Sequence, residues 1–234
     1  MPLFGLSDEH NIFPDPHLAE PSGLLAIGGD LSTARLKAAY QQGIFPWFSE
    51  GEPILWWSPD PRCVLYPDQL KVSKSMRQVL RKGHLRITMD QAFSEVIARC
   101  KSIPREGQQG TWITKDMQAA YIALHEEGWA HSVEVWQDEQ LVAGLYGISM
   151  GACFFGESMF TEVSNGSKAG FITLVGWLKE KGFQLIDCQV HTPHLESLGA
   201  ILIPRQRFLG ELNRGLAVDS LSGNWSSYFD SSSS

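Results

Sequence analysis

Cysteine is scarce and scattered in this chain. The four thiols, Cys63, Cys100, Cys153 and Cys188, include no C-x-x-C pair. Neither a disulfide framework nor a zinc site is expected, and a reducing cytoplasm is the simplest setting. No apolar run reaches about 18 residues, so no membrane-spanning helix is expected. The opening MPLFGLSDEH has no basic region and no long apolar stretch, which argues against a secretory signal. Phosphate-binding glycine loops are missing as well. NGSKAG lacks the G-x-x-x-x-G-K-[ST] spacing, and no G-x-G-x-x-G follows a strand. His191 and His194 stand three residues apart without a third candidate ligand nearby, so no metal is expected.

Against these absences, the 234 residues are 43% apolar and include eight tryptophans. That suffices for one full core and a smaller second unit. The formal net charge is −7, which alone argues against general nucleic-acid binding. The distribution differs from the sum. From Gln69 to Met89 no acidic residue occurs, while Lys71, Lys74, Arg77, Arg81, Lys82 and Arg86 all do. Such a cluster is either a solvated helix face or an electrostatic footprint for a polyanion.

Residues 1 to 61 are punctuated by Pro, Gly and Trp and predict a small, loop-rich N-terminal domain. One helix fits there, LSTARLKAAYQQG, capped by Ser32 and closed by Gly43, with Leu36, Ala39 and Tyr40 on one face. SPDPR at 58–62 is the expected joint to a second domain, 62–234. That domain reads as α+β, a mixed sheet flanked by helices. Its strands are RCVLYP, HLRITMD, HSVEVWQ, QLVAGLYGI, ACFFGESMF and FQLIDCQV. Its helices are SKSMRQVLRKG, QAFSEVIARCKS, TKDMQAAYIALHEEG and NGSKAGFITLVGWLKEKG. The tail SSYFDSSSS reads as frayed.

IDCQV is the stretch that points to chemistry. Strand alternation puts Asp187 and Gln189 on one face, with Ile186, Cys188 and Val190 on the other. A carboxylate beside an amide is either a satisfied buried pair or a device that orients an incoming amine. FFGESMF sets Glu157 among apolar groups, with Phe155 and Met159 expected on its face. Trp47 and Trp112 lie in loop-like contexts, suited either to local packing or to base stacking.

Together GLLAIGGDLS, GIFPWFS, ILWWSPDPR, GTWIT, FFGESMF, SNGSK and IDCQV with the following SLGA resemble the motif set of the bacterial leucyl/phenylalanyl-tRNA–protein transferases. They run from residue 23 to 200. The resemblance implies a GNAT-like acyltransferase domain after the small N-terminal one. It implies transfer of Leu or Phe, less often Met, from aminoacyl-tRNA to proteins with N-terminal Arg or Lys, which marks them for the N-degron pathway. No cofactor, metal or membrane is implied. By the same resemblance Gln189 accepts a hydrogen bond from the attacking α-amine and Asp187 supports it. Glu157 is a pocket glutamate, and Trp47 and Trp112 hold the terminal adenosine. Phe154, Met159, Phe171, Leu174, Leu178 and Ile186 line or adjoin the pocket for the transferred side chain. Lys74, Arg77, Arg81 and Lys82 contact the tRNA. Two other classes remain to be weighed: a CoA-dependent N-acetyltransferase, for which a pyrophosphate loop is missing before residue 166, and a non-catalytic RNA- or degron-binding module.

Overall fold

The computed structural model describes residues 3–103 and 113–230. Four short strands, β1 (Phe4–Leu6), β2 (Leu24–Gly28), β3 (Phe45–Pro46) and β4 (Leu55–Trp57), form one sheet in the order β1-β2-β4-β3. Helix α1 (Thr33–Gln41) lies between β2 and β3. Ser32 caps it as expected, its hydroxyl accepting from the Arg35 N–H at 3.3 Å.

The remaining strands build a seven-stranded sheet. They are β5 (Arg62–Leu65), β6 (Arg86–Met89), β7 (Ala130–Gln137), β8 (Gln140–Met150), β9 (Cys153–Thr161), β10 (Leu185–Gln189) and β11 (Ile201–Ile203), in the order β11-β5-β10-β9-β8-β7-β6. The β7–β8–β9 meander is antiparallel, with Asp138 and Glu139 both at positive φ (49° and 61°) in its first turn. β10 returns parallel to β9 across α5 (Gly166–Glu180). The other helices are α2 (Lys74–Arg81), α3 (Phe93–Ser102), α4 (Lys115–Glu126), α6 (Pro193–Ser197), α7 (Arg205–Leu216) and α8 (Ser226–Asp230).

Each face of the large sheet carries its own core. On one side Tyr146, Ile148, Phe155 and Phe160 pack with α1, α3, α4, α7 and the N-terminal sheet through Tyr40, Phe93, Tyr121, Phe208 and Trp56. On the other Leu145, Phe154 and Ile186 pack with α2, α5 and the C-terminal segment through Met76, Phe171, Leu174, Leu178 and Trp225. Period-two alternation explains the split between Phe154 and Phe155.

The C-terminal segment is not frayed up to α8. Trp225 is fully buried and stacks on His131 with ring centroids 3.7 Å apart. The Asp90 carboxylate accepts from the Trp225 N–H at 2.7 Å, from the Ser132 N–H at 2.9 Å, and bonds His131 Nδ1 at 2.8 Å. Of the tail read as frayed, Ser226–Asp230 form α8 behind the buried Trp225, and residues 231–234 lie outside the described residues.

A bulge interrupts the meander where the site forms. Gly147 pairs with Gly156, but Tyr146 pairs with Ser158, so Glu157 has no partner across the ladder. A Cβ at Gly147 would collide with the Phe155 carbonyl oxygen and the Phe154 ring. Gly147→Ala is therefore expected to cost about 1–3 kcal/mol of stability. Urea titration measures it, and an unchanged midpoint would refute so tight a crossing.

Candidate functional site

The parallel pairing of β9 with β10 ends at Phe155 opposite Asp187. Beyond that point residues 156–159 of β9 and Cys188, Gln189 and Val190 line a cavity of about 500 Å³. Phe45, Pro46 and Trp47 close one side, and Leu145, Phe154, Phe171 and Ile186 form an apolar wall. That volume suits a small-molecule or side-chain ligand.

Asp187 does not line this cavity. It is 1% exposed and forms a bidentate pair with Arg62, Nε to Oδ1 at 2.8 Å and Nη2 to Oδ2 at 2.7 Å. The guanidinium lies between the Phe45 and Phe208 rings, 4.8 and 4.6 Å from their centroids. Oδ1 also accepts the Gln189 backbone N–H at 2.9 Å. The register slips between Asp187 and Gln189, and Gln189 has φ 59°. A local bend rather than plain alternation thus aims Gln189 at the cavity, and the carboxylate fixes that bend through the backbone.

Asp187, expected to support Gln189, meets its backbone N–H and not its carboxamide. The carboxyl that meets the carboxamide is Glu157, whose Oε1 accepts from Gln189 Nε2 at 2.8 Å. This leaves Gln189 Oε1 as the remaining acceptor of a side chain on the cavity wall. Such an oxygen can accept from an N–H group but cannot take its proton.

Glu157 is itself held by two phenols. The Tyr40 hydroxyl is 2.7 Å from Oε1 and the Tyr121 hydroxyl 2.9 Å from Oε2. Burial, the largest influence, pushes the Glu157 carboxyl up to about 7, against the opposing pull of Tyr40, Tyr121 and Gln189 as donors. Burial likewise drives both phenols well above their ordinary value.

The other expected site residues divide. Phe154, Met159, Phe171, Ile186 and Trp47 line the cavity. Met159 does so on the Phe154 side, not beside Phe155 and Glu157, because the bulge at Glu157 inverts the alternation. Leu174 and Leu178 are fully buried in the core beyond Phe171 and do not reach the wall. Cys188, expected to point away, is on the wall. Trp112 lies outside the described residues. Trp47 is 39% exposed, tilted against Trp57 at 5.7 Å, with its carbonyl accepting from the Trp57 indole at 2.7 Å. Lys74, Arg77, Arg81 and Lys82 are all exposed on or just after α2 and form no ion pair among the described residues. Among the described residues no cluster of His, Cys, Asp and Glu could hold a metal ion, and no helix is long and apolar enough to cross a membrane.

Residues 64–213 match the family model described as leucyl/phenylalanyl-tRNA protein transferase, and residues 29–60 match that family's N-terminal domain. The chain belongs to the leucyl/phenylalanyl-tRNA–protein transferase family. A member from Syntrophus aciditrophicus is 57% identical over 93% of this chain and 91% of its own length. One from Myxococcus xanthus is 53% identical over 96% of this chain and 97% of its own. Among solved structures, a GCN5-related N-acetyltransferase from Kribbella flavida overlaps with a TM-score of 0.32 at 10% identity, over 72% of this chain and 59% of that one. L-PGS from Bacillus licheniformis overlaps at 0.37 and 13%, over 72% and 54%. Both overlaps are too shallow to bear on fold or activity.

Three side chains of this family member's site went unread in sequence. Arg62 stood in SPDPR as part of a joint, Tyr40 on one face of a helix, and Tyr121 within the helix TKDMQAAYIALHEEG. The one available hint was that both tyrosines carry a hydroxyl that a buried face must satisfy. Arg62→Met strands the buried Asp187 carboxylate and is expected to cost about 3–5 kcal/mol. Adding Asp187→Leu is expected to return much of it. Chemical denaturation of the three proteins measures both, and a single-variant loss as small as a surface change would refute the pair's role.

Proposed function

We infer that this chain is an aminoacyltransferase that moves Leu or Phe, less often Met, from the 3′ ester of an aminoacyl-tRNA to the α-amino group of an N-terminal Arg or Lys. The observation that carries the reading, with family membership behind it, is the Gln189 carboxamide held by Glu157 on the wall of an apolar cavity. The transferred side chain sits against Phe154, Met159, Phe171 and Ile186. Trp47 offers a flat face to the terminal adenosine. The attacking amine donates to Gln189 Oε1, which places its lone pair at the ester carbonyl. An aminoacyl ester is already activated, so alignment supplies most of what the reaction needs. Asp187 contributes at one remove, through the Gln189 backbone. The exposed cations on α2 face the phosphates of the tRNA. The products carry destabilising N-termini.

The test mixes purified protein, labelled Leu-tRNA and a peptide with N-terminal Arg. Labelled peptide is expected; acetyl transfer from acetyl-CoA in its place would sink the reading. Gln189→Ala is expected to lower transfer by about 100-fold with tRNA binding near normal, read by single-turnover kinetics and filter binding. For Arg77→Ala with Arg81→Ala, the slope of log affinity against log salt is expected to fall by roughly two. An unchanged slope would remove α2 from the tRNA contact.

A further inference from the structure

Glu157 closes a ring of oxygens. Besides the contacts of its two carboxyl oxygens at 2.7 and 2.9 Å, the Tyr40 and Tyr121 hydroxyls lie 2.5 Å from each other. Three contacts at such distances need three protons, one between each pair of oxygens. The phenols supply two. The third can come only from the carboxyl group. Closed in either sense, the ring leaves Oε1 a lone pair for Gln189 Nε2.

The ionised state is also accommodated. Both phenols and Gln189 then donate to the carboxylate, and the phenol–phenol contact, left without a proton, opens. The groups facing Glu157 are Tyr40 from α1, Tyr121 from α4, and Asp187 and Gln189 from β10. Tyr146 of β8 stands behind Tyr121, ring to ring at 5.6 Å. Asp187 is matched by Arg62 at 2.7 Å, so among the described residues no uncompensated cation stands ready to hold Glu157 as an anion. Burial pushes the Glu157 carboxyl up to about 7, while the two phenols and Gln189 as donors pull it down.

We propose that Glu157 holds a proton in the resting protein, and that Tyr40 and Tyr121 are positioning residues whose hydroxyls, able to donate to its carboxylate, let it release that proton to solvent when a cationic acceptor enters the cavity. This rests on the transferase reading for the identity of the acceptor, though not for the proton itself. The balance is simple: a carboxylic acid becomes a carboxylate and a solvent proton while a cation arrives. The cavity's net charge is the same before and after, which avoids leaving a buried charge unpaired in either state. Burial pushes the Glu157 carboxyl up to about 7, so release on binding is expected to be largest below that value and to fade as pH rises past it.

The test labels glutamate side-chain carboxyl carbons with carbon-13 and titrates the full chain by NMR, with Glu157→Gln identifying the Glu157 line. A midpoint near 7 is expected. Tyr40→Phe with Tyr121→Phe is expected to raise it by about one unit or more, because a buried carboxylate loses two donors. If the double variant does not fold, each single variant is expected to move the midpoint the same way. Calorimetry of binding an Arg-terminated peptide, in two buffers of different ionisation heat, is expected to show proton release at about pH 6 that Glu157→Gln abolishes. A Glu157 line already ionised at about pH 5, a midpoint indifferent to the phenols, or binding without proton release would overturn the proposal. The NMR titration needs no turnover, so it decides whether Glu157 rests protonated whatever the transfer assay returns.

Discussion

The site depends on one buried ion pair. Arg62 and Asp187 are each about 1% exposed and meet through two parallel hydrogen bonds. Taking both charges out of water costs several kcal/mol per ion, and only good geometry with further hydrogen bonding offsets it. Here the carboxylate takes a third donor, the Gln189 backbone N–H, and the guanidinium lies between two aromatic faces. Those faces come from β3 and α7, and the pair itself bridges β5 and β10. One interaction thus ties the N-terminal sheet, the β5–β10 strand pair and a late helix to the bend that presents Gln189.

Two irregularities in neighbouring strands turn this scaffold into a cavity. β9 carries a bulge at Glu157, and β10 slips its register before Gln189. The last rung between them is Phe155 with Asp187, after which the strands part. A regular parallel pair would have filled that space with ladder hydrogen bonds. Because they separate, side chains from both faces of the sheet reach one volume: Ile186 and Phe154 from one core, Gln189 and Glu157 from the side of the other. That resolves how Ile186 and Gln189 share a wall despite their odd spacing.

The repeating parts of the fold were legible and the exceptions were not. Period-two and period-3.6 patterns located the β7–β8–β9 meander and helices α1 to α5, and Ser32 acts as the cap its position suggested. Motifs located Gln189, Glu157 and Trp47. Alternation then misassigned Met159, because a bulge moves every later side chain to the opposite face and leaves no composition signal; Cys188 kept the face of Ile186, and it is Gln189 that the slip turned to the cavity. Arg62 escaped for a different reason. Its partner lies 125 residues away, and nothing local distinguishes a buried arginine from one at a joint. Trp225 was lost to the low-complexity tail that follows it.

The arrangement of charge bears on the chemistry proposed. Two carboxyl groups lie within a few residues of the cavity, yet neither is an isolated anion. Asp187 is neutralised by Arg62 in the adjoining core, and Glu157 is enclosed by phenols and an amide that accept either of its charge states. The acceptor offered to the amine is a carboxamide, which cannot ionise. A neutral acceptor there can align an amine whose own lone pair must stay free, whereas a bare carboxylate would stabilise the ammonium form and hold it out of the reaction. For an ester substrate that needs alignment more than activation, a neutral acceptor toward the amine, with Asp187 paired behind it, is the more effective placement.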